Sequence, residues 1–293
     1  MQKSLIVPAL KFHTGNTIPQ IGFGTWPIKG DDCYKAVKFA VINAGYRQID
    51  TAFFYDNHKD ISRALKEIFA TTDIKRSDLF ITSKISRMSH GYEKALEEAD
   101  KIFKELELDY LDLLLIHNPF VEGLDKQDPK AAEVRLGTWK ALEKLKDEGK
   151  VKDIGVSKYT VNHFKHLFAH CKHKPVINQI ECHPLLFEDE IIKFCRENDI
   201  IIQAFSPIAK ARPELLENEV IVKLAKKYNK TPAQICLRWG VQQGFVVIPK
   251  STNENRIKEN IDIFDWELEK EDFEVISKLD RKLYTGMNPH EIA

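Results

Sequence analysis

Short apolar runs alternate with longer amphipathic stretches along almost the whole chain, and this alternation limits the possible folds more than any other feature. The eight runs span residues 22–25, 48–51, 79–83, 111–117, 153–157, 176–179, 200–205 and 245–248. Helical patterns between them include residues 31–44, 59–69, 92–107, 131–148 and 188–197. Because a helix must return the chain before a parallel neighbour can pair, the order predicts a parallel α/β sheet.

The runs are apolar throughout, which is expected of strands buried on both faces. Eight such strand–helix units close most simply as a (β/α)₈ TIM barrel. An open doubly wound sheet is the alternative, but no G-x-G-x-x-G follows the first run and no linker divides the chain. A Gly15-Asn16 turn between two short runs predicts a β-hairpin at about residues 10–21. We expect one domain over residues 1–293.

Composition excludes several classes of protein. Basic and acidic residues number 44 each, so no overall charge draws the chain to nucleic acid or to an anionic membrane. Five dispersed cysteines without a C-x-x-C pair predict neither a disulfide framework nor a metal site. The first 15 residues lack a signal-peptide pattern, and no apolar run approaches the ~20 residues of a membrane helix. We therefore expect a cytoplasmic protein, and a monomer because no apolar surface stripe stands out.

Four polar residues follow or end three consecutive predicted strands. Asp50 ends the second run, with Tyr55 in the loop beyond it, while Lys84 and His117 end the third and fourth runs. Reactive groups of a (β/α)₈ barrel lie at the C-terminal ends of its strands. Each residue alone is more commonly structural, but four of them on one rim favour a catalytic site.

This combination suits proton donation to a carbonyl oxygen. A phenol with a pKa of about 10 donates protons poorly near neutrality, and a nearby Lys84 ammonium would lower the pKa of Tyr55. Asp50 would keep that ammonium charged. His117 would then hold the carbonyl oxygen, and the hydride needed for reduction would come from a cofactor.

Several motifs appear in order along nearly the whole chain. They are GFGTW (22–26), DTAFFY (50–55), TSK (82–84), LLLIHNP (113–119), IGVS (154–157), NQIECHP (178–184), FSPIAK (205–210) and IPKSTNENRIKEN (248–260). Together they resemble the aldo-keto reductase family. The resemblance implies a (β/α)₈ barrel, NADPH/NADP+ as cofactor, a small-molecule carbonyl substrate, and a catalytic tetrad of Asp50, Tyr55, Lys84 and His117.

The resemblance also implies which residues bind the cofactor and the substrate. The cofactor set is Gly24, Thr25, Trp26, Asp50, Ser157, Lys158, Gln179, Phe205, Ser206, Pro207, Ile208, Lys250, Ser251, Asn253, Arg256, Glu259 and Asn260. Within it, Lys250, Ser251, Asn253 and Arg256 would bind the 2′-phosphate, and Phe205 would stack on the nicotinamide. The substrate set is Trp26, Phe54, Tyr55, His117 and Asn118. The C-terminal tail, at about residues 280–293, would form the remaining wall of the pocket.

Lys158 departs from the family pattern, which usually has Asn after the serine. Its ammonium could bond the nicotinamide carboxamide or point elsewhere. Ser86 and Asn118 replace frequent aromatic residues, so we expect a wider or more polar pocket unless a neighbour such as Phe120 fills it. Two other functions remain open: an NADP(H)-binding regulatory or structural protein of the same family, and a Schiff-base aldolase with Lys84 as the nucleophile.

Overall fold

Eight parallel strands form the centre of the molecule, and the structure, a computed structural model, describes residues 7–293. The hairpin strands are β1 (Ala9–Lys11) and β2 (Thr17–Pro19). The parallel strands are β3 (Phe23–Gly24), β4 (Gln48–Asp50), β5 (Phe80–Ile85), β6 (Leu111–Ile116), β7 (Val151–Ser157), β8 (Ile177–Glu181), β9 (Ile201–Phe205) and β10 (Val246–Val247). Each predicted run overlaps one of these eight strands.

The sheet closes on itself between its first and last strands. Neighbours pair in parallel and in sequence order from β3 to β10. Ile21 bridges Val247 in parallel, and the backbone N–H of Gly24 donates to the carbonyl of Pro249 at 3.0 Å. A Cβ at Gly24 would lie 2.8 Å from the Ile248 carbonyl oxygen, so only glycine permits this approach. The predicted (β/α)₈ barrel is confirmed, and the open sheet is excluded.

Helices follow the strands and cover the outside of the barrel. They are α1 (Gly30–Ile42), α2 (His58–Thr71), α3 (Tyr92–Leu106), α4 (Lys130–Asp147), α5 (Val161–Phe168), α6 (Asp189–Glu197), α7 (Pro213–Leu216), α8 (Glu219–Tyr228), α9 (Pro232–Gln242), α10 (Glu254–Ile261) and α11 (Lys270–Ser277). The five helices predicted by range correspond to α1, α2, α3, α4 and α6. Gly45 and Gly149 follow α1 and α4 with φ of +85° and +76°, conformations that side chains disfavour.

Two apolar layers hold the barrel together. The outer layer packs the helices onto the strands and includes the stripe of α4, where Leu136, Trp139, Leu142 and Leu145 are buried. The inner layer lies inside the barrel, where Leu113 and Val246 meet Phe12 and Ile18 of the hairpin. The hairpin pairs β1 with β2 antiparallel and fills the N-terminal end of the barrel. The opposite end stays open.

Residues 1–6 lie outside the described part of the chain, so the single-domain prediction over residues 1–293 and the prediction of no N-terminal signal or anchor stay predictions there. Within residues 7–293, no helix is both long and apolar enough to cross a membrane.

Candidate active site

The open rim of the barrel brings together the four residues predicted to be catalytic. Asp50 is the last residue of β4, Lys84 lies in β5, and His117 directly follows β6. Tyr55 ends a single helical turn, Phe53–Tyr55, that begins three residues after β4. Its backbone N–H donates to the Ala52 carbonyl at 3.0 Å, which sets the turn over the mouth. Parallel strands place their C-terminal ends on one rim, which is why residues distant in sequence meet here.

The Lys84 ammonium is the centre of this cluster. It is fully buried and donates to three oxygens: Asp50 Oδ1 at 2.7 Å, the Thr51 carbonyl at 2.9 Å and the Tyr55 hydroxyl at 3.1 Å. An ammonium has three donors, so every one is used. The arrangement therefore fixes the Tyr55 oxygen beside a positive charge.

Asp50 is held from its other side by an amide. Gln179 Nε2 donates to Asp50 Oδ2 at 2.7 Å and also to Gln203 Oε1 at 2.8 Å. A buried carboxylate needs both an opposite charge and hydrogen bonds to repay its desolvation. Lys84 supplies the charge, and Gln179 supplies the second bond.

Burial and charge act in opposite directions on the lysine and the phenol. Burial lowers the pKa of Lys84, but Asp50 and Tyr55 outweigh it, so the pKa lies above its usual value and the amine stays charged, as predicted. The predicted lowering of the Tyr55 pKa is wrong. Burial raises the pKa of the Tyr55 hydroxyl above its usual value, and Lys84 offsets this only in part. Tyr55 therefore keeps its proton at neutral pH and is available as a donor.

His117 lies against Tyr55 in a neutral state. The two ring centroids are 5.5 Å apart in an edge-to-face arrangement. Burial, together with the charges of Lys158, Lys84 and Arg87, holds the pKa of His117 well below its usual value. His117 also lines the cleft described below. The imidazole can thus bond a small molecule in the cleft.

A cleft of about 690 Å³ opens on this rim and continues along it. Its volume falls within the usual range for small-molecule sites. Most predicted binding residues line it: Gly24, Thr25, Trp26, Asp50, Phe54, Tyr55, His117, Asn118, Lys158, Gln179, Phe205, Ser206, Pro207, Ile208, Lys250, Ser251, Asn253 and Arg256. The cleft thus joins the tetrad to the basic segment 250–256.

Four of the predicted site residues do not line the cleft. Lys84 lies behind Asp50 and Tyr55, which suits a supporting role. Ser157 is fully buried and donates its hydroxyl to the Gln179 carbonyl at 2.8 Å. Glu259 and Asn260 belong to α10 beyond the cleft, where Glu259 is exposed and Asn260 is buried.

Sequence reasoning missed several residues of the cleft. Arg87 and Lys210 line it, together with Pro27, Ala211, Ile248, Pro249 and Thr252. Arg87 lies two residues beyond β5, a rim position that the strand pattern could have indicated. Lys210 ends the quoted FSPIAK motif. Met287 lines the cleft from the tail that was expected to form part of the pocket.

Ser86 and Asn118, the two positions expected to widen the pocket, lie differently relative to the cleft. Ser86 is fully buried and turned away from the cleft, since its hydroxyl donates to Glu98 Oε2 at 2.7 Å. Asn118 lines the cleft, and its Nδ2 lies 3.6 Å from Met287 Sδ. Met287 thus lies beside Asn118 in the cleft, whereas Phe120 does not line it.

Lys158 faces the cleft from the end of β7. Its φ of +61° is in the left-handed region, where Asn is better tolerated than most residues. The half-buried ammonium donates to the His117 carbonyl at 3.3 Å and lies 4.9 Å from the centre of the Phe205 ring. Burial lowers the pKa of Lys158 to about 7, with a further contribution from the Lys84 charge.

The other end of the cleft is a basic loop that leads into α10. Asn253 caps this helix by accepting from the Arg256 backbone N–H at 3.1 Å. Lys250 and Arg256 are exposed at the same end. A helix start beside two cations favours an anion.

One carboxylate fastens the C-terminal tail to the rim. Glu181, the last residue of β8, is 5% exposed and accepts from the backbone N–H groups of Thr285 at 2.9 Å and Gly286 at 3.0 Å. The Thr285 hydroxyl also donates to it. These bonds place Met287 over the cleft, and it is the one residue of the predicted tail wall that lines it.

Replacing Glu181 with Ala should release this segment. We expect amide hydrogen exchange in residues 284–288 to become about tenfold faster or more, because bonds to a charged group are lost. Hydrogen–deuterium exchange followed by mass spectrometry measures this. Glu291→Ala, which removes an exposed ion pair with Lys126, is the control and should leave the segment unchanged. Unchanged protection in Glu181→Ala would show that other contacts hold the tail.

The described residues contain no group of three or more His, Cys, Asp or Glu side chains suited to a metal ion. All five cysteines are free thiols.

The chain is similar to known proteins in both sequence and structure. The model of the "Aldo/keto reductase family" matches residues 20–281. Glyoxal reductase of Bacillus subtilis is 42% identical over 284 residues, which cover 97% of this chain and 96% of the relative. The structure of a Gox0644 variant in complex with NADPH superimposes with a TM-score of 0.87 at 35% identity, covering 97% and 98% of the two chains. The Bombyx mori aldo-keto reductase in complex with NADP gives a TM-score of 0.88 at 30% identity, covering 96% and 95%.

Proposed function

Because this chain belongs to the aldo/keto reductase family, we propose that it reduces aldehydes or ketones to alcohols with NADPH, and that Tyr55 is the proton donor. One observation carries the proposal: the Lys84 ammonium bonds Asp50 and the Tyr55 hydroxyl at once, at the mouth of the cleft. A neutral phenol beside a fixed cation is suited to giving up its proton when negative charge develops nearby.

The residues of the cleft fit a dinucleotide phosphate. Lys250, Arg256 and the start of α10 offer a site for the 2′-phosphate at one end. The aromatic face of Phe205 and the amide of Gln179 lie at the tetrad end, where a nicotinamide and its carboxamide would bind. Bound NADPH would supply the hydride.

The protein's own residues would position the carbonyl and supply the proton. The carbonyl oxygen would lie between the Tyr55 hydroxyl and the His117 ring, which both line the cleft and contact each other. As the oxygen gains negative charge, Tyr55 donates its proton and becomes a phenolate. The Lys84 ammonium stabilises that phenolate across the 3.1 Å bond. Asp50 keeps the ammonium charged throughout.

Neutral His117 would orient the substrate. With its pKa held low, the ring carries one N–H donor that can bond the carbonyl oxygen without competing for the proton. Trp26 and Phe54, each 45% exposed, form an apolar wall beside it with ring centroids 5.8 Å apart. This wall would hold the carbon skeleton of the substrate.

A panel of carbonyl compounds tests the proposal. Aliphatic and aromatic aldehydes, ketones, sugars and α-oxoaldehydes are mixed with enzyme and NADPH, and the NADPH absorbance is followed. We expect oxidation of NADPH by at least one class. If NADPH binds but none of these compounds consumes it, the regulatory role within the family is favoured instead. Borohydride trapping of a substrate on Lys84 would favour the aldolase, although the ion pair with Asp50 keeps that amine protonated.

Arg256 provides a test of the cofactor choice. Arg256→Ala should raise the Kd of NADPH by roughly ten- to a hundredfold while changing the Kd of NADH little, because a charged hydrogen bond to the 2′-phosphate is lost. Fluorescence titration with each cofactor measures both constants. Arg63→Ala, which removes an exposed pair with Asp31, is the control. An equal loss for both cofactors would place Arg256 away from the 2′-phosphate.

We also propose that the protein works as a monomer in the cytoplasm. Free thiols support the compartment. Among the described residues, large exposed apolar side chains are few, and two of them, Trp26 and Phe54, belong to the cleft. Sedimentation velocity would test the monomer.

A further inference from the structure

Lys158 is a positive charge inside the cleft whose role the tetrad does not explain. Its ammonium bonds one neutral group, the His117 carbonyl at 3.3 Å. Within residues 7–293, no carboxylate forms an ion pair with it. A half-buried cation without a counterion creates an unbalanced field in its surroundings.

This field acts on the part of the cleft where the nicotinamide would bind. The ammonium lies 4.9 Å from the Phe205 ring centre, and through the His117 carbonyl it contacts the residue that faces the substrate. A ring placed between Phe205 and the tetrad would therefore have Lys158 at its side. The reduced nicotinamide is neutral and the oxidised one carries a positive charge. All other parts of the two cofactors, including the phosphates, have the same charge.

We propose that the Lys158 ammonium discriminates between the two redox states of the cofactor, by weakening the binding of NADP+ relative to NADPH. This inference rests on the proposed function, since it needs the nicotinamide in this end of the cleft. Its consequence is directional: the oxidised product leaves readily and inhibits little, which favours reduction over alcohol oxidation.

The effect should depend on pH because Lys158 changes charge near neutrality. Burial and Lys84 lower the pKa of Lys158 to about 7. The charged groups that face it are Lys84 from β5, whose pKa is raised, Glu181 from β8, whose pKa is lowered, and Asp50 from β4, which is paired with Lys84. His117 and Tyr55 stay neutral over this range. Lys158 is therefore the one facing group that titrates between pH 6 and 9.

The charge of Lys158 sets the direction in which the cofactor preference changes with pH. Below its pKa, Lys158 is charged and repels the oxidised ring; above it, the amine is neutral and the repulsion disappears. The ratio of the Kd of NADP+ to the Kd of NADPH should fall as the pH rises from 6 to 9. For a unit charge at this range in a partly solvated site, the fall is roughly tenfold. Ionisation of the 2′-phosphate affects both cofactors equally and cancels in the ratio.

Three variants of the protein test the proposal. Both Kd values are measured by fluorescence titration, NADPH directly and NADP+ by competition, from pH 6 to 9 at constant ionic strength. Lys158→Asn, which suits the left-handed backbone, should give a ratio about tenfold lower than the wild type at pH 6 and independent of pH. Lys158→Arg should keep the ratio high up to pH 9, because guanidinium does not lose its proton. Lys250→Met should raise both Kd values by the same factor and leave the ratio unchanged.

The outcomes distinguish a failure of the proposed function from a failure of the proposed role of Lys158. If neither cofactor binds the wild-type protein, the proposed function fails and this inference fails with it. If both bind but Lys158→Asn has the ratio and pH profile of the wild type, the proposed function stands and the role of Lys158 is overturned. A lower, pH-independent ratio in Lys158→Asn with a high one in Lys158→Arg supports it.

Discussion

Replacing Tyr55 with Phe should lower kcat by about 10²- to 10⁴-fold, while the protein remains folded and still binds NADPH. The change removes one oxygen, the proposed proton donor, and a well-placed general acid contributes a factor of this size. The ring stays in contact with Trp26 and His117, whose centroids lie 5.0 and 5.5 Å from it. Packing at the mouth is therefore preserved. The absorbance of NADPH during turnover measures the loss.

A second tyrosine offers a matched control for this experiment. The Tyr228 hydroxyl donates to Asp272 at 2.5 Å, on α8 and away from the cleft. Tyr228→Phe makes the same chemical change and should leave kcat unchanged, whatever it does to stability. Thermal unfolding and the Kd of NADPH are measured on both variants. If Tyr55→Phe retains kcat within tenfold of the wild type, another group donates the proton.

Replacing Lys84 with Met should destabilise the protein by about 3–5 kcal/mol, in addition to abolishing turnover. The variant removes a fully buried ammonium and leaves Asp50, itself 2% exposed, without its opposite charge. The Thr51 carbonyl and the Tyr55 hydroxyl also lose their donor. Urea unfolding followed by circular dichroism gives the free energy of unfolding.

The double variant Asp50→Asn/Lys84→Met tests whether the loss of stability comes from the unpaired charge of Asp50. Removing both charges should restore part of the lost stability, because no buried charge is left unpaired. Lys29→Met is the control. Lys29 pairs with Asp56 at 2.9 Å, close to the 2.7 Å between Lys84 and Asp50, but both of its side chains are largely exposed. The stability of this variant should therefore not change measurably. Equal losses for Lys84→Met and Lys29→Met would contradict the importance of burial at the site.

The sequence predicted the positions of residues on the barrel better than it predicted their energies. Asp50, Lys84 and His117 were expected on one rim because strand ends of a parallel barrel must meet there, and the structure places them so. The direction of the Tyr55 pKa was predicted incorrectly. The order of residues shows that a lysine is near, but it does not show how completely neighbouring side chains exclude water from the phenol.

Contacts made by chain ends and loops also could not be predicted from the sequence. Met287 meets Asn118 only because Glu181, more than 100 residues earlier, fixes the tail at Thr285 and Gly286. No periodic pattern records such a contact. Ser86 was likewise expected at the pocket wall from the family resemblance, yet its hydroxyl is turned to Glu98. Spacing gives the register of a strand, whereas the direction of a loop side chain depends on partners elsewhere in the chain.

The backbone bonds that close the barrel between its first and last parallel strands affect how the nascent chain folds. The backbone groups of Gln20 and Gly22 bond to Val247, and Gly24 bonds to Pro249. The barrel therefore cannot close before nearly all of these 293 residues have left the ribosome. Until then, a nascent chain that has formed β3 to β9 exposes unpaired backbone groups at both edges of a curved sheet. Such edges pair readily with other chains. The nascent polypeptide therefore needs protection from aggregation late in translation, when most of the polypeptide has already been made.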